Sequence, residues 1–457
     1  MIVDRYRGEH TTTSQVAVDH FSDAIFEIVA HRPNGGSGIG ASLEADPGFI
    51  AAHALKGLAC TILARSELWD TARTELASAK HFAKERGTTG FEDVLITALE
   101  AAIEKRLHRA ADALDVFLAR EATVLLCIKL SQSFRFMAGD REGMLSTTHA
   151  SLPAWNDDLS GYGFMLGCHS FALEEMGQLQ EAEQAGRAAV LAEPYDSWAL
   201  HSVAHVFEMS NRPEAGADWL DGLRPTWKEC NNFGFHVAWH RALFDLELGR
   251  MDRVLSVYDD EVRPTSTDDF RDVSNGVSML WRLEQEGLDV GDRWNELAMI
   301  ARKRTEDMSL MFAALHNLLA LVATGDWDAA NTLAATMRDL AQNGKCDQAE
   351  AARTVALPLA ELILTCGRNR TTTASDLERL ARDLQMIGGS HAQRDVFVRT
   401  LAKVARQRGD MVGMSRVLSV RAELKKKDRF NTLLSERVNA RKSSLHLTPE
   451  GAAAFPA

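Results

Sequence analysis

The chain has 457 residues, is 46% hydrophobic and 25% charged, and carries a formal net charge of −13. That length exceeds what one compact core holds and suits several domains or one elongated array. The acidic balance argues against nucleic acid and membrane as partners, because both are bound chiefly through basic groups.

Residues Met1 to His10 are polar and charged and hold no apolar signal core, so no secretory leader is expected. No apolar run approaches the 18 residues of a spanning helix. The six cysteines, Cys60, Cys127, Cys168, Cys230, Cys346 and Cys366, stand singly with no C-x-x-C pair. That pattern predicts free buried thiols in a reducing compartment, with the cytoplasm as the expected location.

In chain order, Thr11 to Ser14 offers caps for a helix starting near Gln15. Gly36-Ser37-Gly38-Ile39-Gly40 lacks the strand and the Gly-Lys-Ser/Thr of a phosphate loop and reads as a flexible loop. Residues 1–45 are therefore expected to be an N-terminal helix and loop. Asp46-Pro47 ends a first unit, and a helix-like run, Phe49 to Ala64, follows it.

From there small turn residues act as punctuation: Gly139-Asp140, Gly177-Gln178, Asn211-Arg212, Gly249-Arg250, Gly287-Leu288, Gly325-Asp326, Gly367-Arg368 and Gly409-Asp410, spaced 34 to 42 residues apart. Fixed spacing of this size marks helix-hairpin repeats close to the tetratricopeptide period. Glycine suits the turns because it tolerates positive φ. One unit shows the pattern in detail. Leu179, Ala182, Ala185, Ala189 and Val190 form a stripe at helical spacing, and Leu166 and Leu173 fill large apolar positions of the preceding helix. Ser170 and Gly186 depart from the repeat consensus. The predicted fold class is all-α: tetratricopeptide-like hairpins over 46–412 wound into a superhelix, a basic capping helix over 413–442 and a flexible tail over 443–457.

Two segments carry candidate chemistry. In His201-Ser-Val-Ala-His205-Val-Phe-Glu208 and in His236-Val-Ala-Trp239-His240, paired histidines four apart share a helix face. The pairs stand 35 residues apart, about one repeat, so the four imidazoles occupy equivalent places on adjacent first helices. His169 and His316 fall near the same register. First helices line the concave side of such arrays, so these residues are expected on a groove wall. Three readings stay open: a site for a divalent metal such as zinc on His201, His205, His236 and His240; a metal-free pocket in which the histidines and Glu208 bind a small polar ligand or move protons, with His205, His240 and Glu208 as the catalytic candidates; and histidines that only satisfy hydrogen bonds in the stack.

Other segments are plainer. Tyr258-Asp259-Asp260-Glu261 reads as a solvated helix end, with cation binding as the alternative. Gly388-Gly389-Ser390 should open a capped helix, with Arg394 and Asp395 on its first turns either holding a ligand carboxylate or locking neighbouring helices. Trp239, Trp281 and Trp294 read as core or groove wall. The basic run Lys425, Lys426, Lys427, Arg429, Arg437, Arg441 and Lys442 reads as a capping helix, with a docking surface as the alternative.

With these segments in view, the chain resembles the tetratricopeptide repeat protein 38 family from near residue 5 to about residue 440. The likeness rests on Asp196–Met209, His236–Leu243, Ser278–Gly287 and Gly388–Phe397. Its pattern covers His201, His205, Glu208, His236, Trp239, His240, His316, Arg394 and Asp395. The chain departs at Ala313-Ala314, where Asn-Asp is expected, and at Asn275, where Asp is common; both put an acidic part of the site in doubt. The resemblance implies a tetratricopeptide-like superhelix and names no substrate. Two functions follow as expectations: binding of a small ligand or peptide in a concave groove lined by His201, His236, Trp239, His316, Arg394 and Asp395, or a hydrolase or lyase using His205, His240 and Glu208.

Overall fold

The computed structural model describes residues 1–368, 370, 376–426 and 428–434. Among these the chain forms twenty-four α-helices and one two-stranded antiparallel pairing, Ile2–Val3 with Glu9–His10. Successive helices pack as antiparallel hairpins, such as Leu125–Ala138 with Arg141–Ser151, Tyr162–Glu175 with Leu179–Ala192, and Ser197–Met209 with Pro213–Gly222.

The predicted turns fall where the spacing puts them. Gly139, Gly177, Gly249, Gly287, Gly325 and Gly409 have φ between 70° and 96°, and Asn211 takes the same region at 53°. Gly367 differs. It ends a helix, and its missing side chain makes room for Val322 and Trp327, which an added Cβ would meet at 2.6 and 3.1 Å. The two departures from the repeat consensus explain each other. Ser170 Oγ donates to the Ala182 carbonyl at 2.8 Å and meets Ser202 Oγ at 2.7 Å. A Cβ on Gly186 would stand 2.7 Å from Ser170 Oγ and 2.5 Å from Val203.

Two expectations need correction. The glycine-rich segment is not a loop but part of the Gly35–Ala45 helix, where Gly38 lets the helix approach Ala24 to within 2.9 Å of where its own Cβ would be. The capping helix expected over 413–442 is interrupted: one helix spans Met411–Leu424, and residues 429–434 are helical again after a break. Lys425 leaves the helix with φ −125° and ψ 129°, and its ammonium turns inward. Lys427, Arg437, Arg441, Lys442 and the tail 443–457 lie outside the described residues. Ser14 caps the Gln15–Val29 helix and Ser390 caps His391–Gln407 through a capping box with Gln393, as the residue types predict.

The array curls far enough for early hairpins to touch late ones. Arg65 pairs with Asp268, Arg304 with Glu67, and Trp69 Nε1 donates to Ser309 Oγ, all across more than 200 residues. The N-terminal turn joins in through Arg32 and Glu229, and the C-terminal helices through His391 and Glu175. These contacts join hairpins far apart along the chain.

Candidate metal centre

Helices Ser197–Met209 and Phe233–Glu247 lie side by side, and each turns a histidine pair toward the other. Asp196 holds the first of them in place by accepting from the Ala199 amide at its N-cap. His201 Nε2 lies 2.8 Å from His205 Nε2 and 2.9 Å from His236 Nε2. His240 completes the group, with one donor atom of each imidazole within 4.8 Å of the others. The rings are 2%, 0%, 8% and 0% exposed for His201, His205, His236 and His240. They do not line an open groove, because Phe171, Trp198, Phe233 and Trp239 pack around them and the curled array covers what remains.

Outer partners hold the rings. Glu208 accepts from His240 Nδ1 at 3.1 Å, Asn275 Oδ1 meets His236 Nδ1 at 2.9 Å, and Glu174 stands 3.5 Å from His205 Nδ1. A ring whose Nδ1–H is held by an oxygen presents its Nε2 lone pair, so the Glu208 and Asn275 contacts aim the lone pairs of His240 and His236 at one centre. Asn275 supplies an acceptor without a charge.

The electrostatics follow from burial and neighbours. Burial and the other three imidazoles hold His201 well below its ordinary value. Burial and His240 do the same to His236, and burial with His205 takes His240 down to about 4. For His205, burial opposes charge but Glu174 outweighs it, so its value rises. Burial pushes the Glu174 carboxyl up to about 7, and neither of its oxygens has a hydrogen-bond partner among the described residues. Glu208 is the opposite case. Burial would raise it, yet Lys425, whose Nζ lies 3.2 Å from Oε1, and His240 keep it ionised.

The remaining candidates divide. Trp239 belongs to the centre, stacked on His236 at 5.4 Å with Arg282 over its ring. His169 instead meets Thr148 at 3.1 Å, and His316 meets the Phe312 carbonyl at 2.8 Å; neither joins the four-imidazole group. Arg394 bonds Glu175 and the Gly389 carbonyl, and Asp395 is gripped by Arg421 and Arg399. Both therefore lock helices together, although they also edge a cleft of about 180 Å³ beside Lys425. Trp281 and Trp294 are core, and Asp259 and Glu261 of the acidic run pair with Arg293 and Arg224.

Residue-type patterns missed Glu174 and the inward turn of Lys425. A signal for the first existed: Glu174 stands three residues before Gly177, as Glu208 stands three before Asn211. No local signal marks Lys425, which the basic run around it disguised as surface.

No model of a known protein family matches this chain. Among solved structures it is similar to yeast Tom70, at 13% identity over 95% of this chain and 90% of that one, with a TM-score of 0.37. It is also similar to a structure of Naa15/Naa10 bound to HypK-THB, at 15% identity over 96% and 69% of the two chains, with a TM-score of 0.26. Likeness at this level carries no functional argument, and the helical-hairpin architecture rests on the helices and turns described above.

Proposed function

We propose that this chain is a helical-repeat protein that binds a divalent metal ion of the zinc type through His201, His205, His236 and His240. One observation carries the reading. A ring nitrogen has one position for a proton or a lone pair, yet His201 Nε2 meets two other Nε2 atoms at 2.8 and 2.9 Å. Hydrogens cannot satisfy both contacts well, whereas a single cation satisfies all four lone pairs. A tetrahedral zinc with bonds of about 2.0–2.1 Å would set its nitrogens roughly 3.3–3.4 Å apart, so His201 would part from His205 and His236 by about half an ångström on loading while His240 closes in. Glu174 and Glu208 supply compensating charge next to the donors.

Four protein donors fill a tetrahedral site, which favours binding and stapling of two hairpins over activation of a water. Glu208 has both oxygens engaged, by His240 and Lys425, which supports a role in holding the ring rather than abstracting protons. The motif stretches named above support kinship with the tetratricopeptide repeat protein 38 family. The absence of disulfides among the described cysteines is in keeping with a cytoplasmic location, and no described helix is long and apolar enough to cross a membrane.

The test is metal analysis of protein loaded with zinc and dialysed exhaustively, beside a His205→Ala/His240→Ala variant. One equivalent per chain in the wild type, lost in the variant, is expected, together with a visible band from tetrahedral cobalt on substitution. No retained metal, or the same content in the variant, would overturn the proposal.

A further inference from the structure

On the side of the metal centre away from Lys425, the first helices present a half-buried aromatic mouth. Trp198 and Phe233 each lie 5.2 Å from the His201 ring and 5.7 Å from one another. His31, from the N-terminal turn, stacks on Phe233 at 4.1 Å and faces Trp198 at 5.8 Å. Its backbone sits at φ 56° and its carbonyl is tied to the Asn231 amide, so the ring is held over the mouth. Phe171 and Phe136 extend the apolar wall.

The polar groups here lack partners. Lys129 lays its ammonium over Trp198 at 4.1 Å and forms no ion pair among the described residues. His201 Nδ1, Trp198 Nε1 and His31 Nε2 are buried atoms without a hydrogen-bond partner, and the His201 side chain is itself almost wholly covered. Each such orphan has given up its water without a replacement partner. Asp196 lies within electrostatic reach of Lys129 but forms no direct pair with it. A cation without a direct ion pair, unmet polar atoms and flat apolar walls, brought together from five separate elements, share one complement.

We infer that this mouth binds a small carboxylate with a planar apolar body, its charge on Lys129 and its ring among Trp198, Phe233 and Phe171. Burial lowers the basicity of Lys129, in keeping with a group taken from water before its anion arrives. Arg271, which is already held by Asp269, adds positive potential nearby without competing for the contact. The site borders the metal centre through His201 but does not depend on it, so binding is expected with and without the ion.

Benzoate and its neutral analogue benzamide are the probes, titrated by calorimetry into full-length protein, both dialysed against chelator and zinc-loaded. The wild type should prefer benzoate about tenfold or more, the value of a charge-assisted contact. Lys129→Met should remove the preference while leaving benzamide affinity unchanged, with a native circular-dichroism spectrum showing that the variant is folded. Trp198→Leu should weaken both ligands. Absence of benzoate binding at millimolar concentration, equal binding of the two ligands, or an undiminished preference in Lys129→Met would overturn the inference. None of these readouts depends on metal content.

Discussion

Replacing Glu208 by Gln isolates what the outer carboxylate does for the four imidazoles. The side chain is 6% exposed, and its two oxygens meet His240 Nδ1 at 3.1 Å and Lys425 Nζ at 3.2 Å. Gln keeps the size and one acceptor but removes the charge that fixes the His240 tautomer and offsets the ion. It also points amide hydrogens at an ammonium. Loss of such a partner costs about 10–100-fold in metal affinity, or roughly 1.4–2.7 kcal/mol. The assay is zinc competition against a chromophoric chelator at neutral pH, with exposed Glu214→Gln on the following helix as the charge-matched control. Affinity of Glu208→Gln within twofold of wild type, or an equal loss in Glu214→Gln, would refute the claim that Glu208 acts through His240.

Chelation should lower the thermal midpoint of wild-type protein, since an ion at about 100 times its dissociation constant adds roughly 2.7 kcal/mol; His205→Ala should abolish that difference. Asp395→Asn should destabilise by about 3–5 kcal/mol at neutral pH, measured by denaturant unfolding, because it leaves buried Arg421 and Arg399 short of a counter-charge. Burial alone would raise the Asp395 pKa, but Arg421 and Arg399 outweigh it and hold it well below the carboxylate range. Its contribution is thus present above the unfolded value of about 3.9 and lost as pH falls through the folded value, so Asp395→Asn should flatten the acid limb of the stability profile. Gly186→Ala forces a methyl to within 2.5 Å of Val203, and the overpacking cost of about 1–3 kcal/mol should exceed the gain in helix propensity. A thermal midpoint below that of the wild type checks this.

Much of the architecture is a local property and was legible in the residues. Hairpin turns need positive φ, so Gly139, Gly177, Gly249, Gly287, Gly325 and Gly409 announce themselves at repeat spacing, and Asn211 takes the same role. Pairing of His201 with His205 and of His236 with His240 follows from helical geometry, and their convergence follows from the repeat length. Caps at Ser14 and Ser390 follow from hydroxyl chemistry at a helix start.

What only the tertiary structure decided depends on curvature, which no single hairpin encodes. Small rotations summed over many repeats bring Arg65 to Asp268 and Lys425 to Glu208, and this closure turns an expected groove wall into a buried centre. It also separates His169 and His316 from the cluster although their spacing fits, because register along the chain says nothing about where a curved array turns each side chain. Gly38 shows the same limit on a small scale. Glycine reads as loop until Ala24 arrives beside it, and then the missing methyl is what lets the helix form a close pair.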